Sequence, residues 1–411
     1  MSRTRFIVIS GLVILLGIIA YGGWFYYTNL RGVGPVYLGG YTPVLDGLNR
    51  EREIVTGTQK FDNTPFTTPS RFKVSVLMTK LATPRDLELD PRGTVIVSIP
   101  ETGKVIALNE ENGIEKIKVV NVAEDLNKPH GLAFDCNVDH CYLYVAEENQ
   151  ISRFNYNIDE YSASNKEKIV DLPTGGRHWT RSIIKYEDGL LVSIGSSCDT
   201  CQEEDGRRGS VQYLNLAERT LTPFATGLRN SVFLTKHPTT EEIWATEMGR
   251  DFLGDDLPPD EINILNRGGN YGWPICYGKN IHDTVFDKNT YIRNPCQEPT
   301  EIPSRIDVPA HSAPLGLSFF PGSWGEAFKD DLLVVYHGSW NRTEPTGYKI
   351  VRFNLNENGD LESTEDFITG WLSQDKKTSF GRPVDVLVRE DKKIFVSDDK
   401  AGVVYLVEYF E

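Results

Sequence analysis

Along most of the chain, apolar and polar residues alternate over short runs that stop at Gly, Pro, Asn or Asp. A period of two predicts strands, and the punctuating residues predict turns. Hardly any stretch after the first thirty residues carries a helical period. The runs recur in groups of three. The first group is 84–93, 94–98 and 103–108; the second is 129–135, 142–145 and 150–154. The third is 178–184, 189–193 and 210–213, and the fourth is 229–234, 242–246 and 261–265. The fifth is 314–319, 331–335 and 348–353, and the sixth is 382–388, 393–397 and 402–407. Early groups start roughly 50 residues apart, and sheets repeated at that period stack around an axis because none buries both faces alone. The expected fold is an all-β, six-bladed β-propeller; a pair of β-sandwiches would not need the six-fold repeat. Segment 71–78 (RFKVSVLM) precedes the first group and is expected to pair with the last strand near 405–409, closing the ring. The long insertion 266–311 reads as a rim loop over one face.

The start of the chain departs from this pattern. From Phe6 to Tyr27 there is no charged residue, long enough to cross a hydrocarbon core as a helix. Arg3 and Arg5 precede it, which puts the N-terminus inside and the remainder outside. Trp24, Tyr26 and Tyr27 suit an interfacial aromatic belt. A cleaved signal peptide is the competing reading, but no good small-x-small cleavage site follows. The expected organisation is a membrane anchor over 1–30, a polar linker over 31–70 and the propeller over 71–411.

Composition narrows the partners. Of 411 residues, 43 are Lys or Arg and 58 Asp or Glu, a net charge of −15, so a nucleic acid is not expected to cover this surface. Six cysteines fall as three local pairs, Cys136 with Cys141, Cys198 with Cys201 and Cys276 with Cys296. Local disulfides suit an oxidising compartment, here the periplasm or cell surface. Cys198-Asp-Thr-Cys201 also reads as half a zinc site or a redox motif, but no second CxxC accompanies it.

Aligning the six groups aligns the residues at one mouth of the central channel. They are Arg85 and Asp86, His130, His178 and Arg181, Arg229 and Asn230, Ser312, and Arg382 and Asp385. Most blades thereby offer a cation or hydrogen-bonding side chain to one place. Arginine pairs with carboxylates through parallel hydrogen bonds, so the expected ligand is a compact anion with several carboxylates or phosphates. The bland alternative is bracing of blade junctions, favoured for Asp86 and Asp385. A Gly/Pro-bent loop, 247–261, is dense in carboxylates and carbonyls, donors that suit Ca²⁺ but equally a solvated acidic loop.

The motifs Gly176-Arg177-His178-Trp179-Thr180-Arg181, Gly227-Leu228-Arg229-Asn230, Met248-Gly249-Arg250, Asp260-Glu261-Ile262-Asn263 and Phe380-Gly381-Arg382-Pro383-Val384-Asp385-Val386 resemble the soluble quinoprotein glucose dehydrogenases and the related glucose/sorbosone dehydrogenases. Gly338-Ser339-Trp340-Asn341-Arg342 and Ser196-Ser197-Cys198-Asp199-Thr200-Cys201 look like the sorbosone branch. The resemblance spans roughly 70–411. It implies a six-bladed propeller using pyrroloquinoline quinone (PQQ) and Ca²⁺ to oxidise a sugar, with electrons passing to a quinone or cytochrome. It implies His178 as general base and Arg229 over the quinone oxygen. Asn230 and Arg382 would hold cofactor oxygens, and Arg342 would replace a family lysine; Arg85, His130 and Arg181 complete the expected cofactor shell. Carbonyls of Gly249 and Arg250 would hold Ca²⁺, with Asp260 bracing that loop. Two positions depart from the pattern: Val384 replaces an arginine, and Ser196 stands where an Asp supports the histidine.

Two other readings remain at this point. A Ca²⁺-dependent sugar lactonase needs several carboxylate or amide ligands on the axis, where only Asp86, Asp385 and Asn230 stand. A non-catalytic binding propeller would use the rim 266–311.

Overall fold

A computed structural model describes residues 3–39, 65–110 and 117–410. Six antiparallel sheets follow one another around a ring, each built mainly from strands that follow one another along the chain. Blade 1 runs through Leu87–Leu89, Val95–Ile99, Lys104–Glu110 and Ile117–Ala123, and blade 2 through Leu132–Cys136, Cys141–Ala146, Gln150–Asn157 and Ser162–Asp171. Blade 3 uses Arg181–Tyr186, Gly189–Ile194, Ser210–Asn215 and Thr220–Thr226; blade 4 uses Leu234–Lys236, Ile243–Glu247, Asp260–Leu265 and Ile306–Val308. Blade 5 uses Pro314–Phe319, Leu332–Tyr336, Lys349–Leu355 and Leu361–Ile368. Blade 6 takes Pro383–Arg389, Lys393–Asp398 and Val403–Tyr409, and its outer strand is Phe72–Met78 from the other end of the chain. Phe72 pairs with Tyr409 and Val74 with Val407, so the expected closure holds.

The reason for the ring lies in the second strands. Val95–Ile99, Gly189–Ile194 and Leu332–Tyr336 are buried at every position, so each needs an apolar neighbour on both faces. The core is correspondingly divided among the blade interfaces. Ile96, Val105, Leu132 and Phe154 fill one such wedge, between blades 1 and 2. Leu77, Leu87, Val95 and Phe395 fill the closing wedge, between blades 6 and 1. At about 25 cal/mol per Å² of apolar surface removed from water, ring closure is strongly favoured over an open arc with two bare faces.

Three details refine the expectations. All three local cysteine pairs are disulfides. The expected rim loop lies inside blade 4, after its third strand, and its end supplies that blade's outer strand, Ile306–Val308; its start climbs the outer edge of blade 3, where Gly269 and Asn270 pair with Ala225 and Thr226, and its Trp273 and Asp283 reach the site-bearing loops. At the N-terminus, helix Arg3–Phe25 continues as a wider turn through Leu30; the stretch Ile7–Leu30 is long and apolar enough to cross a membrane. The expected linker is not free at its start: Pro35 is buried, and its carbonyl accepts from Ser379 Oγ at 2.7 Å and from Lys400 Nζ at 2.5 Å. Of the linker, 40–64 lies outside the described residues.

Candidate active site

Antiparallel blades put the start of every first strand, and every turn between second and third strands, on one face. On blades 3, 4 and 5 those segments converge on a cavity of about 250 Å³. Its walls include Arg177, His178, Arg229, Asn230, Gly249, Asp251, Asp260, His311, Trp340 and Asn341. Five expected site residues therefore meet here: His178, Arg229, Asn230, Gly249 and Asp260.

His178 is held by its neighbour strand. Its Nδ1 lies 3.0 Å from the Ser196 carbonyl and 3.0 Å from Ser196 Oγ. Ser196 Oγ spends its own proton on the Cys198 carbonyl, 2.7 Å away. Both groups facing Nδ1 are then acceptors, so Nδ1 carries the proton and Nε2 keeps its lone pair. No described residue bonds Nε2. Burial, aided by the Arg229 charge, lowers the His178 pKa to about 3, so the ring is neutral at physiological pH. Gly195 makes room for this arrangement: a Cβ there would lie 2.5 Å from Asn230 Oδ1 and 2.7 Å from His178 Cβ.

The arginines are not free cations. Arg229 Nη2 binds Asp199 Oδ1 at 2.7 Å and Asp251 Oδ2 at 3.2 Å, and Arg177 Nη2 binds Asp251 Oδ2 at 2.7 Å. Asp251 also accepts from Asn341 Nδ2 at 2.8 Å. Burial raises the Asp251 pKa. Asp199 is likewise penalised by burial, but Arg229, the Asp251 N–H and Arg177 together outweigh this and hold it below the usual range. Two arginines and two aspartates thus form one nearly neutral cluster beside His178. Trp273 Nε1 donates to the Asp199 carbonyl at 3.3 Å, tying the insertion to this corner.

Other expected residues stand elsewhere. Arg85 pairs with Asp399 at 2.7 Å and lies 3.5 Å from His130 Nε2. His337 Nε2 is 3.8 Å from the same Asp399. Arg382 donates to the Gly338 carbonyl at 2.6 Å. Arg85, His130, His337 and Asp399, with Arg382 beside them, form a second cluster on blades 1, 2, 5 and 6. Burial, with Arg382 next in weight, lowers His337 to about 3, and burial with Arg85 lowers His130. Arg181 donates to the carbonyls of His178, Thr180 and Pro173; it shapes the loop that carries His178. Arg342 donates to the carbonyls of Asp255 and Ala310 and to Asp256. Arg250 turns to Asp283, 2.8 Å away, in a neighbouring crevice. The expected concentrated basic mouth is therefore two clusters: Asp199 and Asp251 offset Arg177 and Arg229 in the first, while in the second Asp399 pairs with Arg85 and Arg382 donates to the His337 and Gly338 carbonyls. Asp86 and Asp385 brace as expected, accepting from the Leu132 and Leu87 backbones.

Asp260 accepts from the Gly249 N–H and the Ala313 N–H, both at 2.9 Å, so it fixes the metal-type loop to blade 5 with both oxygens. The sequence reading missed Asp199, Asp251, His311, Trp340 and Asn341 as site residues. Four of these lay in quoted motifs or in the carboxylate-rich loop, with no signal for their direction. His311 sits at φ +63° with Nε2 2.8 Å from the Gly254 carbonyl, and nothing local in the sequence marks it.

These features define a ring-closed six-bladed propeller with a polar pocket, built on a neutral histidine, at one mouth. Within that class the chain belongs to the TrAA12-like family, whose model matches residues 66–410. An uncharacterised protein of Borreliella burgdorferi is 29% identical over 83% of this chain and 90% of its own length. The pyrroloquinoline quinone-dependent pyranose dehydrogenase of Coprinopsis cinerea is 23% identical over 82% of this chain. The chain matches about half of that enzyme, 54% of its length. Among solved structures, the Trichoderma reesei carbohydrate-active enzyme of family AA12 superposes with a TM-score of 0.72 at 22% identity, covering 86% of this chain and all of the other.

Proposed function

We propose that the protein is a PQQ-dependent sugar dehydrogenase, oxidising an aldose-type hydroxyl in the His178 cavity. The observation that carries this reading is the free Nε2 of a neutral, tautomer-fixed histidine facing a polar cavity. The Coprinopsis cinerea relative, a pyrroloquinoline quinone-dependent pyranose dehydrogenase, supports the same class.

The residues present fit the cofactor, a planar quinone bearing three carboxylates. The Asn230 side-chain amide is buried against the cavity and has no described partner. Arg177 and Arg229 add guanidinium donors. When bound, the cofactor supplies the carbon that accepts the hydride. His178 Nε2 takes the proton of the sugar hydroxyl. The Ser196 carbonyl holds Nδ1–H throughout, which keeps the ring from turning. Arg229, anchored by Asp199 and Asp251, offers positive charge where negative charge develops. Ca²⁺ would be held by the carbonyls of Gly249 and Arg250, to which no described residue donates; Asp260 positions Gly249 through its N–H. Arg85, His130, Arg181, Arg342 and Arg382 do not line this cavity and are left outside the cofactor's contacts. Electrons leave to a quinone or cytochrome. The apolar helix anchors the chain, with the disulfide-bearing propeller outside the cytoplasm.

The test is dye reduction by aldoses after loading with PQQ and Ca²⁺. A positioned general base contributes about 10²–10⁴-fold, so His178→Ala should lose at least about a hundredfold in turnover while still taking up cofactor. Turnover within a few-fold of wild type would remove His178 from the base role.

A further inference from the structure

The N-terminal helix does not leave the propeller at a neutral place. Its apolar residues from Ile7 to Ile19 are at least half exposed, so it stands clear of the blades. It touches them at its last turn, where Phe25 packs on Phe252 with ring centroids 5.7 Å apart. Phe252 in turn packs on Trp340 at 5.7 Å, and Trp340 lines the cavity. Two residues beyond Leu30 the chain is docked again. A side chain at Gly32 would run into the Arg342 carbonyl, and one at Gly34 would lie 2.7 Å from the Lys377 carbonyl. Pro35 is then pinned by Ser379 and Lys400, as described above. Two residues span about 7 Å at most. The tether is therefore too short and too firmly seated to let the propeller turn away from the helix end.

The same face presents apolar side chains to the outside. Phe252 is 38% exposed, Leu257 44%, Tyr37 75% and Leu38 57%. With Trp24, Tyr26 and Tyr27 at the helix end, they extend one aromatic and aliphatic rim from the anchor to the cavity mouth. Aromatic rings of this kind settle at the headgroup level of a bilayer.

We infer that the cavity-bearing face of the propeller is a membrane-docking surface, held against the phospholipid headgroups by Phe252, Leu257, Tyr37 and Leu38. The occupant is the bilayer that the helix itself enters, so this inference rests on the anchored reading given above. It does not depend on the redox chemistry. Its consequence is directional: a lipid-dissolved oxidant meets the cavity mouth without leaving the membrane, whereas a sugar enters from the narrow aqueous layer beneath the rim.

The full chain is reconstituted in phosphatidylcholine vesicles doped with a lipid carrying a nitroxide on its headgroup. Single bimane labels are placed at Leu257→Cys, Tyr37→Cys, Tyr27→Cys and Val138→Cys. Val138 is fully exposed on a turn between first and second strands, on the opposite face. Quenching at Leu257 and Tyr37 should match that at Tyr27 and exceed that at Val138 several-fold. Strong quenching at Tyr27 with Leu257 and Tyr37 no better than Val138 would overturn the docking and leave the anchor intact. Equal, weak quenching at all four would overturn the anchored reading and this one with it.

Discussion

The neutrality of His178 can be tested without any activity. In the folded chain burial lowers its pKa to about 3, against about 6.5 for an unperturbed imidazole. The folded state refuses a proton that the unfolded state accepts below about pH 6.5. Stability contributed in this way is fully present above that pH and is lost as the pH falls through the folded pKa. Between pH 7 and pH 5 the linkage amounts to about 2 kcal/mol, most of it below pH 6.5. His178→Asn removes the titrating group and keeps a polar side chain of similar reach. The drop in unfolding free energy from pH 7 to pH 5, read from urea titrations, should therefore be about 2 kcal/mol smaller in the variant than in wild type. The other histidines that burial lowers, His130, His237 and His337, are present in both proteins and cancel in this difference. A difference below about 0.5 kcal/mol would mean that the ring is not desolvated, and the argument for a neutral base would fall with it.

Four further outcomes follow from the geometry. Ser196→Ala keeps the carbonyl that accepts Nδ1–H, so turnover should fall less than about tenfold; a thousandfold loss would assign the orientation to Oγ instead. Asp260→Ala strands the Gly249 and Ala313 N–H groups and should cost about 2–4 kcal/mol in urea unfolding, with weakened Ca²⁺-dependent cofactor uptake; unchanged values would contradict the bracing role. Gly195→Ala pushes Asn230 and His178 apart and should abolish turnover while the far-ultraviolet spectrum stays that of wild type; normal turnover would show that the two side chains yield freely. Replacing Cys198 and Cys201 by Ser should cost about 2 kcal/mol and loosen Asp199, read as weaker cofactor binding; identical affinity would free Arg229 from dependence on that loop.

The propeller was legible because its cause is local and repeated. Unbroken apolar runs within 94–98, 189–193 and 331–335 mark strands that are buried on both sides, and the period sets their number. Ring closure was legible from the leftover strand before the first repeat, and the disulfides from their short spacings. Side-chain direction was not legible. Aligning the repeats brings Arg85, Arg181, Arg229 and Arg382 to equivalent backbone positions, yet Arg181 turns to its own loop's carbonyls and Arg85 to Asp399, more than 300 residues away. The partners Asp251 and Asp199 lie 22 and 30 residues from Arg229, and Asp399 lies 314 from Arg85, all beyond the length of a strand, so no local pattern marks a pair. The docking of 32–39 depends on Arg342, Lys377, Ser379 and Lys400, again remote in sequence. Glycines at 32 and 34 are the local trace of that close approach, and they read equally well as a flexible linker.

The central claim is that the cavity beside His178 holds pyrroloquinoline quinone for sugar oxidation. Titrating the full-length apo-protein with PQQ in the presence of Ca²⁺, and following the cofactor's absorbance, tests it most directly. Saturable, Ca²⁺-dependent uptake of one equivalent, followed by bleaching on addition of an aldose, is the predicted result. No uptake at micromolar protein, or uptake unaffected by His178→Ala and Asn230→Ala together and without bleaching, would contradict it.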